Sequence, residues 1–124
     1  MIPHSSPWEL LFLLLCGHAL ADFALQTEFV ATNKNRHIRH KFEPDIRSKM
    51  QVIWPHLMLN HCLHHGLMVF IITKSLTLAL AEVAVHFVTD YGKCERWYGF
   101  HGDQFIHIAT KVAWTVIVTQ GWMI

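Results

Sequence analysis

Long apolar runs fill this chain, and the polar residues that interrupt them recur at helical spacing, not at the alternation of strands. The first run, residues 8–32, reads WELLFLLLCGHALADFALQTEFVAT, with His18, Asp22 and Gln26 four residues apart. At about 100° per residue such neighbours are offset by only about 40°, so in a helix they form one polar stripe. The run at 52–72 carries His61 with His65 four residues on and His64 three residues on. The run at 76–98 carries Glu82, His86, Asp90 and Lys93, and the last, 103–122, opens with Asp103 and Gln104 and places His107 one turn later. The pattern predicts an all-α chain of four helices with those bounds. The first would be about 37 Å long, enough to span a hydrocarbon core with some tilt. Ser5 or Ser6 before Pro7 suits its start, Pro55 lies where a helix tolerates proline, and Thr73-Lys74-Ser75 and Gly99 to Gly102 mark turns.

Residues 33–49 are the one clear shift in composition. Lys34, Arg36, Arg39, Lys41, Arg47 and Lys49 face only Glu43 and Asp45 there. As a short loop between spans it is expected in the cytoplasm, solvated or near anionic lipid headgroups, with both termini on the opposite side. Composition agrees with a membrane protein: 52% of the 124 residues are hydrophobic and 15% charged. Residues 1–124 are read as a single helical membrane domain. A formal charge of +1 gives no basic surface for phosphate neutralisation, which argues against nucleic acid as a partner. Trp8, Trp54, Trp97, Trp114 and Trp122 fall mostly near predicted helix ends, as an interfacial belt would.

Cys16, Cys62 and Cys94 show no CxxC spacing and are odd in number, so they are read as reduced thiols packed in helices. Leu10 to Cys16 followed by Ala19-Leu20-Ala21 also looks like a secretory signal, but no Lys or Arg precedes it, and Leu15 is bulky for a lipoprotein site at Cys16. The segment is therefore expected to be retained.

The chemistry lies in the eleven histidines and their acidic companions. HxxxD occurs at 18/22, HxxxH at 61/65, HxxxD at 86/90 and DxxxH at 103/107, one small grammar on four elements. An aspartate at the centre of a membrane helix costs roughly 2.5–3.5 kcal/mol, so several of them need a shared partner. A divalent cation, zinc by this donor set, accepts both imidazole nitrogen and carboxylate oxygen from facing helices. The candidate ligands are His18, Asp22, His61, His65, His86, Asp90, Asp103 and His107. Eight exceed one zinc shell, so either two ions are held or half the set orients the other half. A shell with an open position would supply a water of pKa roughly 7, with Asp22 or Asp90 as general base. Lys93 and Gln26 are candidates for an anionic substrate group, with Lys34, His64 and Gln104 around the ligands. His37, His40 and His101 are expected in solvent, and His4 and His56 have no evident partner. No GxSxG, glycine-rich phosphate loop or HExxH is present.

GHALADFALQT with Lys34 downstream, the region of His61, HFVTDYGK and DQFIH together resemble the small DUF3307 proteins of bacteria and phages, described as predicted membrane proteins of unknown function. The likeness runs through nearly the whole chain in order. It implies that His18, Asp22, Gln26, Lys34, His61, His86, Asp90, Lys93, Asp103, Gln104 and His107 are the positions to watch, and it implies no reaction. The histidine-rich HCLHHG departs from that pattern and leaves the companion of His61 open.

The expectation is a four-helix transmembrane bundle in a bacterial or phage-infected inner membrane. Its polar His/Asp core holds one or two divalent ions and hydrolyses a lipid-like or amphipathic substrate. The alternative is a non-catalytic accessory or structural subunit whose buried network fixes helix packing, with a second copy or a host protein as partner. A proton or ion pathway would instead string the groups along the membrane normal, and a soluble bundle would partition into buffer.

Overall fold

The computed structural model describes residues 6–38 and 53–122, and every regular element among them is helical. Helix α1 (Pro7–Ala19) runs into a π-helical turn (Leu20–Ala24), followed by the short α2 (Glu28–Asn33), then α3 (Trp54–Thr73), α4 (Leu76–Cys94) and α5 (Phe100–Thr119). Of the basic loop, Arg39, Lys41, Glu43, Asp45, Arg47 and Lys49 lie outside the described residues, as do His4 and His40.

The ends follow local chemistry. Ser6 accepts a hydrogen bond from the Glu9 amide with Pro7 behind it, and Thr27 and Ser75 cap α2 and α4 in the same way. Lys74 closes α3 in the left-handed conformation, φ 59°.

The helix expected over 8–32 is broken. The Leu25 amide bonds the Leu20 carbonyl, one residue further back than in an α-helix, and the helical run stops before Thr27 restarts it. Gln26 donates from its side chain to the Asp22 carbonyl at 3.0 Å, satisfying a backbone acceptor at this break. It therefore leaves the stripe of His18 and Asp22. Helix α4 stops at Cys94, short of residue 98, and α5 starts at Phe100, ahead of residue 103.

The four long elements run up, down, up, down. Helix α1 packs on α3 and α5, α4 packs on both of these as well, and α3 and α4 form the closest pair. The reason for that closeness is Gly66: a Cβ there would stand 2.5 Å from Val83 Cγ2 and 3.1 Å from the Ala79 carbonyl oxygen.

The interior has two halves. At the end holding the start of α1 and the end of α5, Leu10, Leu14, Val69, Ile72, Leu78 and Trp114 form an apolar cluster. Toward the other end every buried stripe turns polar. Between the halves Glu82, on α4, accepts from Lys111 Nζ at 2.5 Å and Trp114 Nε1 at 2.6 Å, all three from inward positions. At the polar end the chain after α2 is tied back to α4: Arg36 donates twice to Glu95 while lying over the Tyr91 ring, and His37 Nε2 is 3.1 Å from the same carboxylate. The Arg36 bonds pull the Glu95 carboxyl down to about 2.

The outside is apolar. Phe12, Phe23, Leu63, Leu67, Leu80, Val88, Phe105 and Ile108 all face outward, Phe105 at 73% exposure. Among the described residues one segment, Pro7–Ala24, is long and apolar enough to cross a membrane, which a signal sequence or a buried core helix would also satisfy. The other three long helices fall short of that measure because their inward faces carry His, Asp, Glu and Lys. Of the expected four-span bundle, then, the all-α architecture is present and one candidate span is found. Cys16, Cys62 and Cys94 are free thiols, exposed, buried and half-buried respectively.

Two substitutions probe this packing. Gly66→Ala should push α3 from α4 and cost about 1–3 kcal/mol in reversible unfolding. Lys111→Met strands the buried Glu82 carboxylate and should cost about 3–5 kcal/mol, most of it regained in the Glu82→Gln/Lys111→Met double variant. A loss below about 1 kcal/mol for the single change would mean that Glu82 is not held as a charge.

Candidate metal centre

The polar stripes meet at one place. Asp22 comes from the π-helical turn, His61 and His65 from α3, His86 and Asp90 from α4, and Asp103 and His107 from α5. All seven are nearly or wholly buried, with Asp22 the least so at 7%. Their polar atoms crowd together: Asp22 Oδ1 is 3.2 Å from His61 Nε2 and 3.4 Å from His65 Nε2, and His61 Nε2 is 3.2 Å from His86 Nε2. On the other side Asp90 Oδ1 lies 3.0 Å from His107 Nε2 and 3.5 Å from His86 Nε2, and Asp103 Oδ1 is 3.3 Å from His107 Nε2. Asp90 Oδ2 faces His61 Nε2 at 3.2 Å.

Donor atoms bound tetrahedrally at the zinc distance of about 2.0–2.2 Å stand roughly 3.3–3.6 Å apart. The spacings above scatter around that value, in two groups that share His86: Asp22, His61, His65 and His86, and then His86, Asp90 and His107. Within each group the ligand atoms lie within 4.8 Å of one another.

The imidazoles add a second reason. His65 and His86 stack with centroids 3.6 Å apart, and His86 and His107 at 4.1 Å. Protonating the whole pile would concentrate positive charge in a buried volume, whereas neutral rings present lone pairs to a common point. His65 Nε2 and Asp103 Oδ1 are buried with no hydrogen-bond partner, two acceptors that a cation would satisfy. Behind the rings Glu82 Oε1 stands 3.5 Å from His86 Nδ1, and the Nδ1 atoms of His61, His65 and His86 are all buried without a hydrogen bond.

Three lysines and a glutamine surround this core. Lys34 reaches in from the end of α2, 2% exposed, to place Nζ 2.5 Å from Asp90 Oδ2. Lys93 Nζ stands 3.6 Å from Asp103 Oδ2 and is partly exposed. Lys111 holds Glu82. Gln104 donates to Asp22 Oδ2 at 2.8 Å and accepts from His18 Nε2 at 3.0 Å. An amide oxygen only accepts, so this contact makes His18 Nε2 the donor and keeps its lone pair elsewhere.

The sequence-predicted residues thus divide. Asp22, His61, His65, His86, Asp90 and His107 converge as possible ligands, with Asp103 beside His107. His18 lies next to Asp22, at 3.8 Å, but its Nε2 is engaged by Gln104, outside both ligand groups. His65, not His64, is the companion of His61; His64 is half-buried and outside both groups. Gln26 holds backbone instead of substrate. Lys34, expected beside the site in a solvated loop, is buried against Asp90. Glu82, Lys111 and Trp114 were missed, although Glu82 precedes His86 and Lys111 follows His107 by four residues, the same spacing that picked out the rest.

No curated protein and no solved structure matches the chain. The family model described as "Protein of unknown function (DUF3307)" matches residues 10–123, nearly the whole length, and carries no reaction or ligand with it. The chain belongs to the DUF3307 family.

Proposed function

We propose that this protein is an integral membrane metalloprotein that binds a divalent cation, zinc by its nitrogen-rich donor set, and uses it to hydrolyse a lipid-like or amphipathic substrate. The observation that carries the metal is the convergence of Asp22, His61, His65 and His86, whose ligand atoms lie within 4.8 Å of one another with three pairs at 3.2–3.4 Å and Asp22 to His86 at 4.0 Å, and with no hydrogen bond to His65 Nε2. Membrane embedding is supported by the inverted polarity of the bundle. Charged and imidazole groups occupy one half of the interior while phenylalanine, leucine and isoleucine cover the outside. The helices of 20, 19 and 20 residues in α3, α4 and α5 are each about 30 Å long, the thickness of a hydrocarbon core. Trp8 and Trp122 lie at one end of the bundle and Trp54 and Trp97 at the other, as at two interfaces.

The substrate class follows from depth. Counted along α3, α4 and α5, Asp90 and Asp103 lie about 5–6 Å and His61, His86, His107 and His65 about 10–16 Å from the helix ends beside the basic loop, so the centre reaches from near the headgroups down to the middle of the acyl region. The bound cation would supply a water acidic enough to ionise near neutrality. Asp22 and Asp90 would take up its proton. Lys93, partly exposed at the rim, and Gln104 would orient a polar headgroup.

The burial of His61, His86 and Asp90 at 0% exposure favours a second reading, a closed site whose network only fixes helix packing. The first reading predicts stoichiometric metal after purification without chelators, and occupancy reduced at least ~10-fold in Asp22→Asn and His65→Ala; the packing role holds with or without metal. Only the first predicts that the detergent-solubilised protein cleaves a long-chain ester or phosphoester, that chelation abolishes this, and that zinc restores it. A metal-loaded but inert protein that loses stability on chelation would select the packing role. Metal-free wild type would remove the first reading. Release from membranes by alkaline carbonate would reject the embedded arrangement.

A further inference from the structure

Two ligand groups suggest two ions, yet their carboxylates are compensated differently. Asp22 has His61, His65, His18 and Gln104 around it and no lysine within ion-pair distance among the described residues. Asp90 has the buried Lys34 ammonium at 2.5 Å, and Asp103 has Lys93 at 3.6 Å. The second position thus already holds its positive charge, covalently attached to the chain. His86 also offers a single Nε2 to both groups and serves only one ion at a time.

Resting on the metalloprotein reading above, we infer that the centre is mononuclear, with the ion at Asp22, His61, His65 and His86, and that Lys34 occupies the place of a second cation. Charge points the same way: Lys34 and Lys93 already offset Asp90 and Asp103, and His107 Nε2 lies between those two carboxylates at 3.0 and 3.3 Å, so a second divalent ion there would add positive charge to a buried volume, where uncompensated charge is costly. Lys34 also fixes Asp90, whose Oδ2 faces His61 and whose Oδ1 faces His107, so the ammonium sets the wall between the two groups. Lys34 enters from the end of the short helix after the π-helical turn, not from α3, α4 or α5.

The test is metal stoichiometry at saturating zinc, by elemental analysis after desalting. Wild type should hold one zinc per chain, and Lys34→Arg, which keeps the charge, should also hold one. Lys34→Met, which keeps the length and removes the charge, should hold two. Two zinc ions in wild type, or one in a folded Lys34→Met protein, overturns the inference while leaving the metalloprotein reading standing. No zinc in wild type overturns that reading itself. Should Lys34→Met not fold, the wild-type count still decides whether the centre is mononuclear, and Lys34→Gln, expected to hold two zinc ions, repeats the removal of charge with a polar side chain.

Discussion

The constraint on which this structure depends is the burial of carboxylates. Asp90 and Asp103 are fully enclosed, Glu82 nearly so, and each has an ammonium group within 4 Å. An isolated buried carboxylate would cost several kcal/mol, so the fold must deliver partners from other elements to each. That requirement explains features that packing alone would not demand. Lys34 caps the C-terminal end of a six-residue helix that has no buried residue of its own, and its side chain anchors that segment to α4. The outer clasp of Arg36 and His37 on Glu95 keeps the same segment in place from the exposed side. Asp22 is the exception. Its neighbours are imidazoles and an amide, and it is this shortage of positive charge on which the metalloprotein reading proposed above rests.

The repeated spacing of four made much of the site legible in the sequence. His18/Asp22, His61/His65, His86/Asp90 and Asp103/His107 each lie one turn apart, and a residue one turn from another shares its face whatever the tertiary structure does. What lay beyond reach depended on contacts between elements. Offsets of three and four are both on-face for a helix, so sequence could not separate His64 from His65; the α3–α4 register did, turning His65 inward. Lys34 sits in a run of basic residues whose composition reads as solvent, and only the chain's return onto α4 buries it. Gln26 followed Asp22 by four, but the π-helical turn intervenes, and such a turn has no reliable signature in a run this apolar. Glu82 and Lys111 were within reach: they extend the His86 and His107 stripes by the same four residues, and reading each stripe from its histidine cut them off.

The same inward stripes explain why hydropathy alone undercounts the apolar character of the exterior. A window average assigns His61, His65, Glu82, His86, Asp90, Asp103, His107 and Lys111 to the whole helix, although all are turned toward the centre. Phe12, Leu63, Leu67, Leu80, Phe105, Ile108 and Val112 are what a surrounding medium would meet. In water such a surface would be a strong driver of association, and in lipid it is the ordinary state of a helix exterior. Soluble bundles place these residues the other way round.

A polar interior in one half and an apolar one in the other also fixes where flexibility can be tolerated. Leu10, Leu14, Val69, Ile72, Leu78 and Trp114 close one end by apolar packing, where the buried hydroxyls of Thr73 and Thr115 bond to backbone carbonyls of their own helices. At the other end the helices are joined by directional contacts between charged and polar side chains, and those contacts come from elements of unequal support: three long helices, one π-helical turn and one short helix. The Asp22 corner therefore rests on the least regular backbone in the described structure, with Gln26 occupying a carbonyl there and Gln104 bracing the carboxylate from α5. His61 and His65 on α3 and His86 on α4 therefore face an Asp22 whose backbone departs from a regular helix, and in the metalloprotein reading proposed above Asp22, at 7% exposure the least buried of these four, is the one nearest solvent.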